Sequence, residues 1–426
     1  MKASNGIFLR AVTVVLGLAA FALAPSFDGI NGADGQQPRR DRGQQRGKAP
    51  PQRAPQQDQS VQPSGGPENS ARQAIIMDFD TGAVLYEKNA DERMPPSSMS
   101  KTMTVYMAFK ALKEGRLKLD DAMPVSERAW RMQGSKMFVP LGERVKIEDL
   151  LRGVIVQSGN DACIVLAEGL GGTEEAFAEQ MNAEAKRIGL TASNFTNSHG
   201  WPDSNHFTTA RDLAVLARHL ITDFPEYYRY FKEIDFTYGV DAKGTPIRQG
   251  NRNPLLYRNT GADGVKTGHT EDAGYGLTAS AIREGRRIIM VFNGWPSMRV
   301  RAEESERMLD WAYREFNNYT VFKAGQQVDR ADVWMGEAPT VGLVASKDIV
   351  VTLPRKLRPQ MEARIVFDAP VPAPVLKGAA IGLVRVTAPG VTPIEVPIVA
   401  DADVPRLGFA GRIAAAVTHL IFGAKK

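Results

Sequence analysis

Two textures in series predict an α/β (α+β) domain, followed by a small all-β domain and a C-terminal amphipathic helix. From residue 71 to 318, strand-like runs stand at both ends of a block whose middle reads as helices, the order of a layered sandwich closed by its first and last strands. From 319 to 402, short β-branched runs broken by Pro and Gly replace the helical periodicity. From 403 to 426 a single apolar stripe returns at helical spacing. The 426 residues are 43% hydrophobic and 24% charged, near globular averages, which excludes a collagenous or wholly disordered chain. No run of 18 apolar residues occurs, which excludes a polytopic membrane protein. The one cysteine, Cys163, excludes an internal disulfide and a cysteine-based zinc cluster.

Residues 1–24 read as an export signal. Lys2 and Arg10 form a basic start, 11–24 is an apolar run, and Ala22-Leu23-Ala24 has the small-residue pattern of a cleavage site, although Pro25 is an unfavourable residue to follow one. As a helix the run spans about 21 Å, short of the ~30 Å hydrocarbon core, which favours a cleaved signal over an anchor. Residues 25–70 are rich in Gln, Pro, Gly and Arg and bury too little to offset chain entropy, so they read as a disordered tether. Within them, the stretch from Arg39 to Arg53 holds six basic residues (Arg39, Arg40, Arg42, Arg46, Lys48, Arg53) against one acid, Asp41. That surplus equals the +5 net charge of the whole chain, so the charge describes a solvated linker and supplies no case for nucleic-acid binding.

Within the first domain, Ala74-Ile75-Ile76-Met77 and Ala83-Val84-Leu85-Tyr86 flank a Gly-containing turn and predict a hairpin. Met99, Met103 and Met107 recur every fourth residue after Ser98, residues 147–156 are amphipathic, and 174–188 run to a stop at Gly189. Thr209 to Asp212 has the spacing of a capping box. Strands are expected at 276–281 and 287–292, and a helix at 302–316. In the second domain, strands are expected at 349–353, 363–367, 381–386 and 394–399. At the C-terminus, Phe409, Ile413, Val417 and Leu420, flanked by Arg406, Arg412, Lys425 and Lys426, fit a helix lying in a membrane interface without spanning it. The plainer alternative is a terminal helix docked on its own β domain.

For chemistry, Gly-x-Ser-x-Gly and His-Glu-x-x-His are absent, and the five histidines (His199, His206, His219, His269, His419) lack ligand spacing, so no metal is expected. Cys163, in an apolar stretch, reads as a buried small hydrophobe. What remains is a lysine-assisted serine. In Ser98-Met99-Ser100-Lys101, three positions put Lys101 one turn from Ser98 on the same helix face. The first turn also leaves the Ser98 N–H free to hold an oxyanion. Burial and a second cation would lower the lysine pKa toward the neutral form that accepts a proton. Ser-x-x-Lys alone arises by chance about once in a chain this long, and could equally be an N-cap beside a solvated lysine. Ser158-Gly159-Asn160, between helices, offers a hydroxyl relay and an amide. Lys266-Thr267-Gly268, on an edge strand, offers a cation, a hydroxyl and a glycine that lets a substrate backbone come close. The three together, in this order, are much harder to obtain by chance.

With these motifs the sequence resembles the penicillin-recognising serine D-alanyl-D-alanine carboxypeptidases, the low-molecular-mass penicillin-binding proteins. The resemblance spans about residues 71–400. It includes Ser135 to Phe138 (SKMF), Asp263 to Tyr275 (DGVKTGHTEDAGY), Arg252-Asn253 before Leu255-Leu256, and Arg301 before Glu304-Ser305. It implies a serine transpeptidase/β-lactamase-like catalytic domain. By resemblance, Ser98 attacks the carbonyl between the two terminal D-alanines of a peptidoglycan stem peptide and Lys101 takes its proton. Ser158 with Lys266 passes that proton to the leaving amine, and Asn160 holds the penultimate amide. The N–H groups of Ser98 and His269 form the oxyanion hole, and Thr267, next to Gly268, receives the terminal carboxylate with Arg252 and Arg301. No cofactor is implied. β-Lactams should acylate Ser98, and the enzyme should be exported to the periplasm or cell surface, held to the outer face of the cytoplasmic membrane by its C-terminal helix. Two features depart from this pattern. The Glu-x-x-Leu-Asn sequence of class A β-lactamases is absent, which counts against efficient β-lactam hydrolysis, and the long tether is not part of the usual family layout. The same site leaves a D,D-endopeptidase or weak β-lactamase open, and a catalytically silent cell-wall-binding scaffold is the alternative from another class.

Overall fold

The computed structural model describes residues 66–422. The expected signal segment, the tether up to residue 65 and the terminal Lys425 and Lys426 lie outside the described residues.

Strands β1 (Gln73–Asp78) and β2 (Val84–Lys88) form the expected hairpin. A 3-10 turn, Ser97–Ser100, leads into α1 (Lys101–Lys113). Then come β3 (Ala122–Pro124), α2 (Glu127–Arg131), β4 (Arg144–Lys146), α3 (Ile147–Ile155), α4 (Asn160–Gly171), α5 (Glu174–Arg187) and α6 (Ala210–Asp223). The hairpin β5 (Asp235–Val240) and β6 (Pro246–Gly250) precedes β7 (Ala262–Thr270), β8 (Gly274–Arg283), β9 (Arg286–Trp295) and α7 (Met298–Glu315). The main sheet has the order β2-β1-β9-β8-β7, with every neighbouring pair antiparallel, so β7 is an edge strand.

Alternation along the strands divides the core in two. Ile75 and Met77 of β1, with Ile289 and Val291 of β9, face the helical layer. Their neighbours Ala74 and Ile76, with Ile288, Met290 and Phe292, face Met308, Leu309 and Ala312 of α7. Both faces are therefore buried, which is why these strands read as continuous apolar runs. Helix α4 has six successive buried residues from Ala162 to Ala167 and runs through the middle of the helical layer. Ser126, Thr173, Thr209 and Ser297 each accept an N–H of the first turn they precede. The Thr209 box is only half of what the spacing predicts. The Asp212 carboxylate accepts from the Ala192 N–H and the Ser193 hydroxyl, which ties α6 to the 191–208 loop.

The second core is all β. It contains β10 (Phe316–Phe322), β11 (Gln327–Trp334), β12 (Thr340–Ala345), β13 (Ile349–Pro354), β14 (Glu362–Phe367), β15 (Val371–Pro372), β16 (Ala380–Ala388) and β17 (Val391–Ala400). Strands β10 and β13 pair with each other, and the rest form a sheet in the order β14-β16-β17-β12-β11-β15. The predicted strands correspond to β13, β14, β16 and β17. Strand β11 (QVDRADVW) is polar at alternate positions and went unrecognised for that reason. Helix α8 (Phe409–Phe422) follows, with Phe409, Ile413, Val417, Leu420 and Ile421 exposed. No helix among the described residues is long and apolar enough to cross a membrane.

Candidate active site

The 3-10 turn brings Ser98 to the surface while Lys101, the first residue of α1, is fully buried. Lys101 Nζ lies 2.8 Å from Ser98 Oγ and donates to the His199 carbonyl at 2.6 Å. Burial lowers the Lys101 pKa from 10.5 to about 8, and the Arg252 charge pushes the same way. The lysine therefore loses its proton far more readily than a free one.

On the opposite wall, Ser158 sits between α3 and α4 with φ of +61°, a left-handed conformation uncommon for serine. Its Oγ lies 3.0 Å from Lys266 Nζ of β7. Lys266 is buried too, and burial, then the charges of Lys101 and Arg252, lower its proton affinity well below that of a free lysine. Asn160 opens α4; its Nδ2 donates to the Gln133 carbonyl and its N–H to that of Ser135, both at 2.7 Å. The next residue, Asp161, accepts the N–H groups of Met137, Phe138 and Val139. One carboxylate in the first turn of α4 thus satisfies the turning backbone of the 132–141 loop and complements the helix dipole.

Strand β7 closes the site. Thr267 is buried, and Gly268 has no room for a side chain, since a Cβ there would lie 2.9 Å from the Pro96 carbonyl. The protein's own turn therefore already demands glycine at this position. His269 is exposed, its ring 3.9 Å from that of Tyr275. Arg252 is exposed and donates to Ser135 Oγ at 2.7 Å. Arg301 lies next to Arg252. It is buried on α7, donates to the Arg252 carbonyl at 3.2 Å and lies over the Tyr275 ring. Burial brings its pKa down to about 10. Cys163 is buried, and burial pushes its thiol up to about 12. A larger cavity of about 690 Å³, against Tyr86, Glu304 and Trp311, touches none of these groups.

Sequence reasoning missed the 195–206 loop. The Asn197 side chain accepts the N–H groups of Gly200 and Trp201, and Glu174 accepts both the N–H and the hydroxyl of Ser198. Together they present the His199 carbonyl to Lys101. Gly200 has φ of +84°, and a Cβ there would lie 1.8 Å from the Ser97 carbonyl. His206 Nδ1 accepts the Thr196 N–H, so its Nε2 is left to donate to Ser100 Oγ at 2.7 Å. Burial holds both rings neutral, with pKa values of about 3 for His199 and about 4 for His206. Asn197, Gly200 and the histidines were visible as a turn signal, yet histidines weighed only as metal ligands do not reveal a loop held by its backbone.

A serine whose proton can pass to a buried amine, faced by a second serine on a second buried amine, is equipped to be acylated and deacylated without a histidine or a metal. That arrangement on this sheet defines the class of serine enzymes that recognise penicillin. Comparison with known proteins narrows the class. Residues 57–295 match the family model of D-alanyl-D-alanine carboxypeptidase, and residues 316–406 match that of the penicillin-binding protein 5 C-terminal domain. D-alanyl-D-alanine carboxypeptidase DacC of Escherichia coli is 40% identical over 355 residues, 82% of this chain and 87% of that one. Penicillin-binding protein 5 of Haemophilus influenzae, 38% identical, superposes with a TM-score of 0.75 over 80% of this chain and 99% of that one. Penicillin-binding protein D2 of Listeria monocytogenes, solved in an ampicillin-bound form, is 27% identical with a TM-score of 0.52, covering 58% of this chain and 99% of that one. The chain belongs to the D-alanyl-D-alanine carboxypeptidase family, with a penicillin-binding protein 5 type C-terminal domain.

Proposed function

We propose that Ser98 is the nucleophile of this D-alanyl-D-alanine carboxypeptidase and Lys101 its base. One observation carries the assignment: a fully buried lysine amine 2.8 Å from the serine hydroxyl, with its pKa lowered to about 8. The Ser98 proton moves to Lys101 Nζ as Oγ bonds to the carbonyl carbon between the two D-alanines. The N–H groups of Ser98 and His269 hold the oxyanion. Ser158, hydrogen-bonded to Lys266, relays a proton to the departing amine, the peptide C–N bond breaks and D-alanine leaves. Water then hydrolyses the Ser98 ester and regenerates the hydroxyl. Asn160, fixed by its bond to Gln133, holds the penultimate amide. Thr267 and the exposed Arg252 receive the terminal carboxylate, and Arg301 supports Arg252 from beneath. The substrate is a peptidoglycan stem peptide ending in D-Ala-D-Ala, and a β-lactam, whose ring opens on the same hydroxyl, binds in its place.

The division of the chain belongs to the same proposal: an export signal at 1–24, a tether at 25–70, the catalytic domain at 71–318, the β domain at 319–402 and a membrane-surface helix at 403–426. The apolar face exposed on α8 supports attachment to the outer face of the cytoplasmic membrane. Lys101→Met tests the chemistry. Release of D-alanine from a peptide ending in D-Ala-D-Ala should fall at least about 10³-fold while the fold persists. Release at the parent rate would contradict the assignment.

A further inference from the structure

The Lys101 amine is aimed at Ser98 by the His199 carbonyl, to which it donates at 2.6 Å, and the peptide before that carbonyl is held from two sides. On one side the Ser198 carbonyl accepts the hydroxyl of Thr104, one turn along α1 from Lys101. On the other stands Glu174, the first residue of α5, a helix that contributes no group to the chemistry. Its Oε1 accepts the Ser198 N–H at 3.0 Å and the Ser198 hydroxyl at 2.6 Å. Its Oε2 accepts from Arg128 Nη2 of α2 at 2.6 Å, and the second terminal nitrogen of that arginine donates to Glu175 at 2.9 Å.

Glu174 is 3% exposed, whereas the Arg128 side chain is 48% exposed. A buried carboxylate is costly unless donors surround it, and here they do. Besides Ser198 and Arg128, His199 Nε2 lies 3.5 Å from Oε1. His199 Nδ1 accepts the Trp201 N–H, so the ring, kept neutral by its burial, carries its hydrogen on Nε2, toward Glu174. A group that accepts on both oxygens and carries no hydrogen of its own fits this corner. Thr104 sets the distance of the 198–199 peptide from α1, and Glu174 sets its rotation. A His199 carbonyl free to turn away would release the amine from its line to Ser98.

We propose that Glu174 is a positioning residue for the reaction: through Ser198 it holds the His199 carbonyl that keeps the Lys101 amine on Ser98, and Arg128 holds Glu174 in place from the surface of α2. The proposal rests on the reading of Lys101 as the base, and its test separates the two. The rate constant for acylation by penicillin is measured against pH in the parent and in three variants. Glu174→Met keeps the length of the side chain and removes its acceptors, Glu174→Gln keeps an oxygen for Ser198, and Arg128→Met frees the carboxylate from its partner. Above pH 9 most of the Lys101 amine is deprotonated, so the plateau there reads its position rather than its proton affinity. The plateau should fall at least about tenfold in Glu174→Met and about threefold in Arg128→Met, and stay within about twofold of the parent in Glu174→Gln. A parental plateau in either methionine variant, or a profile displaced along the pH axis with its plateau kept, overturns the positioning role. So does a glutamine variant as slow as Glu174→Met. The half-exposed Arg128 position keeps the test decisive even where Glu174→Met does not fold. These results leave Lys101 as the base, whereas a folded parent with no penicillin adduct overturns that reading and the positioning role with it.

Discussion

A lysine with its ordinary pKa of 10.5 holds its proton at neutral pH in all but a few molecules per ten thousand, and an ammonium cannot accept the Ser98 proton. Burial of Lys101 changes this proportion. With a pKa of about 8, roughly a tenth of the molecules are ready at pH 7. The active form is the deprotonated one, so the rate of acylation by penicillin should rise with pH, gaining about tenfold between pH 7 and a plateau above pH 9. A rate constant flat from pH 6 to 9 would contradict the role of Lys101. The lysine pair was legible in the sequence because its determinants are local. Lys101 follows Ser98 by three positions, and the apolar positions around them announce burial. The His199 carbonyl that completes the Lys101 environment is 98 residues away, bound through its backbone, and no residue type signals a carbonyl. Arg301 was legible as a basic residue near the site, but its burial beneath Arg252 depends on how α7 packs, which no local pattern states.

At the scale of elements, the site is a meeting of three turns: 97–100 before α1, 158–159 before α4 and the 195–206 loop. The first is a single 3-10 turn, and polar side chains hold the loops packed around the site. Asp161 fixes the 132–141 loop against α4, and Glu174 and Asn197 fix the loop over Lys101. Gly200 allows that loop to pass over the Ser97 carbonyl. Gly200→Ala brings both a left-handed strain and a clash with backbone that cannot swing away. The substitution should destabilise by about 2–4 kcal/mol and slow acylation by displacing the turn that carries Ser98. Thermal denaturation and penicillin acylation rates check both, and a variant with parental Tm and rate would contradict this packing. Strands β1 and β9 were readable because they are apolar on both faces. The β5–β6 hairpin was not singled out, although Asp241 accepts the N–H groups of Lys243 and Thr245 in an Asp-to-Gly turn typical of such connections.

At the scale of the whole molecule, a polar junction joins the two cores. The Asp78 carboxylate accepts from Arg286 Nε and Asn318 Nδ2, and Thr81 Oγ1 lies 2.5 Å from Thr352 Oγ1. Arg286 also donates to the Phe316 carbonyl, where α7 gives way to β10. These bonds tie the start of the β core to the turn of the first hairpin. Helix α8 leads away from that core with its apolar side chains exposed. Deleting residues 404–426 should release the protein from membranes and leave D-alanine release intact; unchanged membrane partitioning would refute the anchoring role. If Ser98 is the nucleophile, penicillin and a D-Ala-D-Ala terminus should acylate the same hydroxyl. Intact-mass measurement after brief exposure to penicillin tests this most directly. One covalent equivalent on the parent chain and none on Ser98→Ala is the predicted result. A folded parent protein with no adduct, or an adduct that persists in Ser98→Ala, would contradict it.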